Sequence, residues 1–155
     1  MVDYLNFDLL VERIHASYQV RVVHSPSGEA AATFAFPFTE EELATVTAAS
    51  WSVMAGASAD FTPKQIGERL FAALFRGDVR LCLERSLAAA TGPGRPGLRL
   101  RLRLGDAPEL ACLPWEYLHG PSPYGFFATS TQTPIVRYLE LAQPIEALAV
   151  KHPLH

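Results

Sequence analysis

From Tyr4 onward apolar and polar residues alternate: Leu5, Phe7, Leu9 and Val11 fall on one side of an extended chain, Asn6, Asp8 and Glu12 on the other. A period of two belongs to a half-buried strand. A second run occupies Tyr18 to Val23, and the turn cluster Ser25 to Gly28 leads into Ala30, Ala32, Phe34 and Phe36, which again share a face. Residues 1–37 therefore predict an antiparallel β-meander of three strands.

The period then changes. Thr39 followed by Glu42, and Thr62–Pro63 followed by Gln65, have the spacing of capping boxes, in which each side chain satisfies a backbone amide left free at a helix start. The first predicts a helix running to about Ser50, and the small residues of 51–59 read as a loop. The second opens a helix with Ile66, Leu70, Phe71, Leu74 and Phe75 as its apolar stripe. Gly77 suits a left-handed helix end, and Asp78 starts a further helix carrying Val79, Leu83 and Leu87 to the stop "TGPGRPG". Residues 38–91 are thus read as helical.

Alternation returns at "LRLRLRL", where Leu98, Leu100, Leu102 and Leu104 take one face and Arg99, Arg101 and Arg103 the other. Asp106, Pro108 and Glu109 make a third capping-box signature, so "APELACLPWEYL" is expected to begin as a helix that Pro114 breaks or restarts. A last strand pair is expected at 126–130 and 135–139. The prediction is an α+β fold: a meander, central helices, then a strand-helix-strand unit (98–141) packed as a mixed sheet with helices. Residues 1–141 read as one domain and 142–155, with their Pro and Ala content, as a linker or tail.

A chain of 155 residues is long enough to bury a core without disulfides or metal. Its formal charge of -3 argues against a general affinity for phosphate backbones, so nucleic acid is not an expected partner. There is no leader-like start and no apolar run near the roughly 20 residues a membrane span needs, and the two cysteines, Cys82 and Cys112, sit inside apolar stretches. A cytoplasmic protein without a membrane contact is the expectation.

A cysteine hydrolase needs a part-exposed thiol beside an imidazole. Both cysteines read instead as small buried thiols in helices, and Cys112 stands seven residues from His119, about 10.5 Å along a regular helix. His15, His24, His119, His152 and His155 are scattered without metal-ligand spacing, so neither metal nor cofactor is expected. The ladder arginines could meet phosphate, but a regular spacing of two equally suits a carboxylate-facing sheet surface or a guarded edge. Arg137 is expected to join their face if its strand neighbours the ladder. Trp115 and Tyr117 lie two apart, so one is expected in the core and the other toward a partner, with Glu116 pairing to a ladder arginine.

The string formed by the ladder, "DAPELACLPWEYL" and "TPIVRYLEL" resembles the opening part of CHAT-domain proteins, caspase-like cysteine peptidases of bacterial signalling and defence systems. The resemblance extends more weakly back through "FDLLVERI", "ATFAFPFTEEEL" and "GERLFAALFRGDVRLCLERSLA". It implies that the catalytic His and Cys of the family come after the "VRYL" strand, and His119–Gly120 precedes that point. The role it implies for this chain is that of a non-catalytic, regulatory or scaffold portion that binds protein: a linked or separate caspase-like peptidase core, or a sensor domain. Its protein-facing candidates are Arg99, Arg101, Arg103, Trp115, Glu116, Tyr117 and Arg137. A standalone cysteine hydrolase using Cys112 or Cys82, and an arginine-ladder nucleic-acid module, are the alternatives. A sheet that stops short also offers an unpaired strand for a homodimer.

Overall fold

The structure, a computed structural model, describes residues 3–52 and 62–138. The meander forms as β1 (Leu5–Ile14), β2 (Ser17–His24) and β3 (Ala30–Phe34), paired antiparallel in sequence. Three helices follow, α1 (Glu40–Ser52), α2 (Pro63–Leu74) and α3 (Gly77–Ala90), and the chain then returns as β4 (Leu98–Arg103), parallel to β1. After the short helix α4 (Pro108–Ala111) and the two-residue strands β5 (His119–Gly120) and β6 (Gly125–Phe126), the strand β7 (Ile135–Tyr138) joins β4 in parallel. The result is a five-stranded mixed sheet in the order β3-β2-β1-β4-β7, with helices, as the α+β reading expected.

One face of this sheet carries the core. Phe7, Leu9 and Val11 of β1, Val20 of β2 and Leu98, Leu100 and Leu102 of β4 are fully buried there, meeting the stripe Ile66, Leu70, Phe71 and Leu74 of α2 and Val79, Leu83 and Leu87 of α3. Burying each of these large side chains contributes roughly 1.5–3 kcal/mol. Both N-terminal boxes close as read. The Thr39 amide donates to Glu42 Oε2 at 2.9 Å and the Glu42 amide to Thr39 Oγ1, while Thr62 and Gln65 exchange the same pair of bonds. The backbone bond from Thr39 holds the Glu42 carboxyl below its ordinary range.

Several expectations are corrected. The first two residues of the loop read at 51–59 belong to α1, and the rest of that loop, like the tail 142–155, lies outside the described residues. Gly77 has the expected positive φ of 49° but is the first residue of α3, and α2 ends at Leu74 with Phe75 as its C-cap. The third capping box does not form: α4 is four residues long, its N-cap is Ala107 with no side-chain bond, and "LPWEYL" becomes a 3-10 turn at Trp115–Tyr117. Residues 127–129 are a second 3-10 turn rather than part of a strand beside β7. Pro114 and the brevity of α4 leave too few backbone bonds to sustain a helix through this segment.

Glu109 has other work. It accepts a 2.6 Å hydrogen bond from the Tyr18 hydroxyl and stands 3.5 Å from Arg13, tying α4 to the start of β2. Burial, then the bond to Glu109, pushes the Tyr18 phenol up to about 12, and that bond holds the Glu109 carboxyl low. A raised phenol favours the neutral form in the folded state. Its stability contribution is complete below pH 10, where the unfolded tyrosine is also neutral, and is lost as pH rises through 12. Unfolding free energy is therefore expected to fall by about 2 kcal/mol between pH 10 and 12. Tyr18→Phe should flatten that part of the profile, measured by urea unfolding at a series of pH values.

Candidate protein-docking site

The ladder and its surroundings occupy the sheet face opposite the core. Parallel register puts Arg99 beside Asn6, Arg101 beside Asp8 and Arg103 beside Leu10, all turned away from the helices. Each of the first two pairs is closed by a fork. Arg99 donates through Nε and Nη2 to Asn6 Oδ1 at 2.9 and 2.8 Å, and Arg101 through Nε and Nη2 to the two carboxylate oxygens of Asp8 at 2.5 Å. Asp8 is 3% exposed, so its charge stands on this one partner, and the same hydrogen bonds push the Arg101 guanidinium further up. Arg103 differs. Its guanidinium lies over the Tyr138 ring at 4.6 Å, its Nε is buried without a hydrogen-bond partner, and no carboxylate pairs with it among the described residues.

Arg137 is not part of that face. The register Leu102↔Arg137 and Arg103↔Tyr138 turns Arg137 to the helix side and brings Tyr138 to the ladder, because one position along a strand changes the face. There Arg137 forks onto Glu116 at 2.9 and 2.8 Å and donates to the Ala111 and Leu113 carbonyls at 2.6 and 2.8 Å. Ala111 ends α4 and Leu113 follows it, so neither carbonyl has a partner within the helix. Glu116 thus pairs with β7 and not with the ladder, and the clamp fixes the edge strand against the segment after α4.

Trp115, expected among the protein-facing candidates, is fully buried, and its Nε1 donates to the Leu110 carbonyl at 2.8 Å. Tyr117 is half-buried and packs on the core edge, which leaves Glu116 as the exposed side chain of the turn. Asn6, Asp8 and Tyr138 belong to the site without having been singled out from sequence. The signal for the first two was present: Asn6 and Asp8 alternate with the same period as the arginines and become their partners once β1 and β4 lie side by side.

The thiols take no part. Cys82 is buried with Ser25 Oγ at 3.3 Å and the Gly28 carbonyl at 3.6 Å as its neighbours. Cys112, expected to be buried, is exposed, and its Sγ points to the Pro108 carbonyl at 3.6 Å. Neither set of partners includes an imidazole. His119 packs edge-on against Phe126 with Nδ1 at 3.8 Å from Glu68.

β7 closes one side of the sheet. Leu100 N donates to Pro134 O, so the even-numbered residues of β7 bond to β4 and the N–H and C=O groups of Ile135 and Arg137 point outward. Val136 and Tyr138 are 39% and 44% exposed along this edge. The one charged side chain of the strand is folded back into the Glu116 clamp. Natural edge strands are commonly guarded by charge, proline or a bulge; β7 has no proline and no bulge, and its one charge is held by Glu116. No helix among the described residues is long and apolar enough to cross a membrane, and no cluster of His, Cys, Asp and Glu there could hold a metal.

Comparison with known protein families, curated proteins and solved structures finds no match to this chain.

Proposed function

We propose that this chain is a non-catalytic scaffold portion of a CHAT-type caspase-like peptidase, acting through protein contacts, with β7 as the edge on which a strand of the peptidase core continues the sheet. The observation that carries this reading is the outward edge of β7, which no described strand pairs and whose arginine is committed to Glu116. The parallel succession β1-β4-β7 supports it, since each later strand adds outward on the same side of the sheet. So does the sequence resemblance, in which the catalytic His and Cys belong beyond this strand.

The reading frame beyond codon 155 tests the proposal. A further apolar strand, a His-Gly pair and then a strand-terminal Cys are the expected result, and a frame that lacks the pair overturns it. If the pair is there, the downstream segment expressed separately should be captured by this chain, and Val136→Lys, which places a charge on the edge, should weaken capture at least tenfold.

The same edge supports a second reading, a homodimer paired through β7. Light scattering then gives twice the 17.0 kDa of one chain, and Val136→Lys returns it to the monomer.

A further inference from the structure

The ladder face is uncovered by any described element, although parallel strands such as β1, β4 and β7 ordinarily have both faces covered. Its charges are unbalanced. Arg101 is neutralised by Asp8, and Arg21 stands 3.4 Å from Glu12, whereas Arg99 meets only the neutral amide of Asn6 and Arg103 only the Tyr138 ring. Among the described residues, two cations without a carboxylate thus lie on one face of a chain whose net charge is -3. Beside them Leu10 is half-buried, and Val136 and Tyr138 are exposed, forming an apolar shoulder along the same face.

We infer that this face binds an acidic amphipathic helix of a protein partner, laid along β4, with carboxylates on Arg99, Arg101 and Arg103 and apolar side chains on Leu10, Val136 and Tyr138. A sheet face, unlike an edge, offers an incoming chain no backbone groups, so an occupant that satisfies its own backbone, a helix, is selected, and spacing admits it. Alternate residues of a parallel strand are about 6.6 Å apart, and helix residues four apart rise about 6 Å, so glutamates at i, i+4 and i+8 track the three arginines in step. Charge selects its sign. Each forked arginine uses Nε and Nη2, which leaves Nη1 for an incoming carboxylate, while neither Nη1 nor Nη2 of Arg103 has a hydrogen bond among the described residues.

This inference rests on the protein-docking reading but concerns a different surface, the sheet face instead of the β7 edge. Its probe is an alanine-rich stapled helix with glutamates at i, i+4 and i+8, titrated into the isotope-labelled full chain and monitored by amide chemical shifts. Saturable shifts at β4 and β7 are expected. Affinity should fall about tenfold in Arg103→Gln, and likewise when the glutamates are regrouped at adjacent positions, and it should weaken with salt. Arg99→Gln is the second variant, since its loss leaves a neutral Asn6 rather than an uncovered carboxylate. Absence of saturable shifts overturns the inference, as does equal affinity for the regrouped peptide. So does tighter binding of a single-stranded oligonucleotide with the same loss in Arg103→Gln, which would make the face a reader of phosphate. Failure of this titration leaves strand pairing at β7 standing, because the reading frame, capture and mass measurements report on that edge alone.

Discussion

Trp115→Ala is expected to lower the unfolding free energy by about 3–5 kcal/mol, the range for deleting a large buried aromatic. The indole is fully buried in the 3-10 turn between α4 and β5, and the turn packs against α2 on one side and the Phe127–Thr129 turn on the other. Two losses combine. Removing the ring leaves a cavity that flanking backbone cannot close, since Pro114 and the Arg137–Glu116 clamp hold the segment in place. Removing Nε1 takes away a side-chain hydrogen bond to the buried Leu110 carbonyl, which keeps only its backbone partner, the Leu113 amide at 3.1 Å. For a chain of this length each kcal/mol moves the melting temperature by roughly 2–4 °C, so a drop of about 6–20 °C is the measurable result. Trp115→Phe separates the two losses, because it keeps most of the packing and removes the hydrogen bond; a drop of about 1–2 kcal/mol is expected. An unchanged melting temperature in Trp115→Ala would mean that this turn does not hold α4 and β5 together.

The stability of this turn bears on docking. β7 reaches its place through Arg137, whose four hydrogen bonds all end on residues 111–116. If the turn loosens, the clamp loses its acceptors, and Arg137 swings free on the edge as the guarding charge that β7 otherwise lacks. Trp115→Ala should therefore weaken capture of a strand partner more than its effect on the folded fraction alone accounts for.

What was legible in the sequence is what local chemistry decides. The strand alternations, the capping boxes at Thr39 and Thr62 and the apolar stripe of α2 need only residues within one turn or one strand, and they formed as read. The ladder was visible for the same reason. Its partners were not, because the Asn6–Arg99 and Asp8–Arg101 forks span 93 residues and depend on the register of β1 with β4. Arg137 shows how little separates a right strand from a wrong face. The strand was found, yet pairing Leu102 with Arg137 sends that side chain to the helix side and gives Tyr138 to the ladder. Between Gly105 and Thr133 local signals conflicted. Asp106 and Glu109 spell a capping box, but Tyr18, far away in sequence, engages Glu109, and the tertiary bond decided the outcome.

Gly67→Ala is the substitution on which sequence and structure give opposite signs. Gly67 lies inside α2, where exchange to alanine ordinarily stabilises a helix by about 1 kcal/mol. In the fold a Cβ on residue 67 would stand 1.7 Å from the Tyr117 carbonyl oxygen and 2.9 Å from His119 Cβ. The obstacle is backbone, not the end of a flexible side chain, so no rotamer change relieves it. α2 would have to move away from the 3-10 turn and β5, uncovering Leu70, Phe71 and Leu74 on the same helix face. Overpacking costs about 1–3 kcal/mol, and a backbone obstacle puts this case at the upper end or beyond, so after the gain of about 1 kcal/mol Gly67→Ala is expected to destabilise by about 2 kcal/mol or more. Ala72→Gly, at an exposed site of the same helix, is the control and should cost only the propensity difference of about 1 kcal/mol. Urea unfolding of both variants decides the matter. If Gly67→Ala raised stability, α2 would not approach Tyr117 at backbone distance, and the seat of the turn that carries Trp115 and Glu116 would have to lie elsewhere.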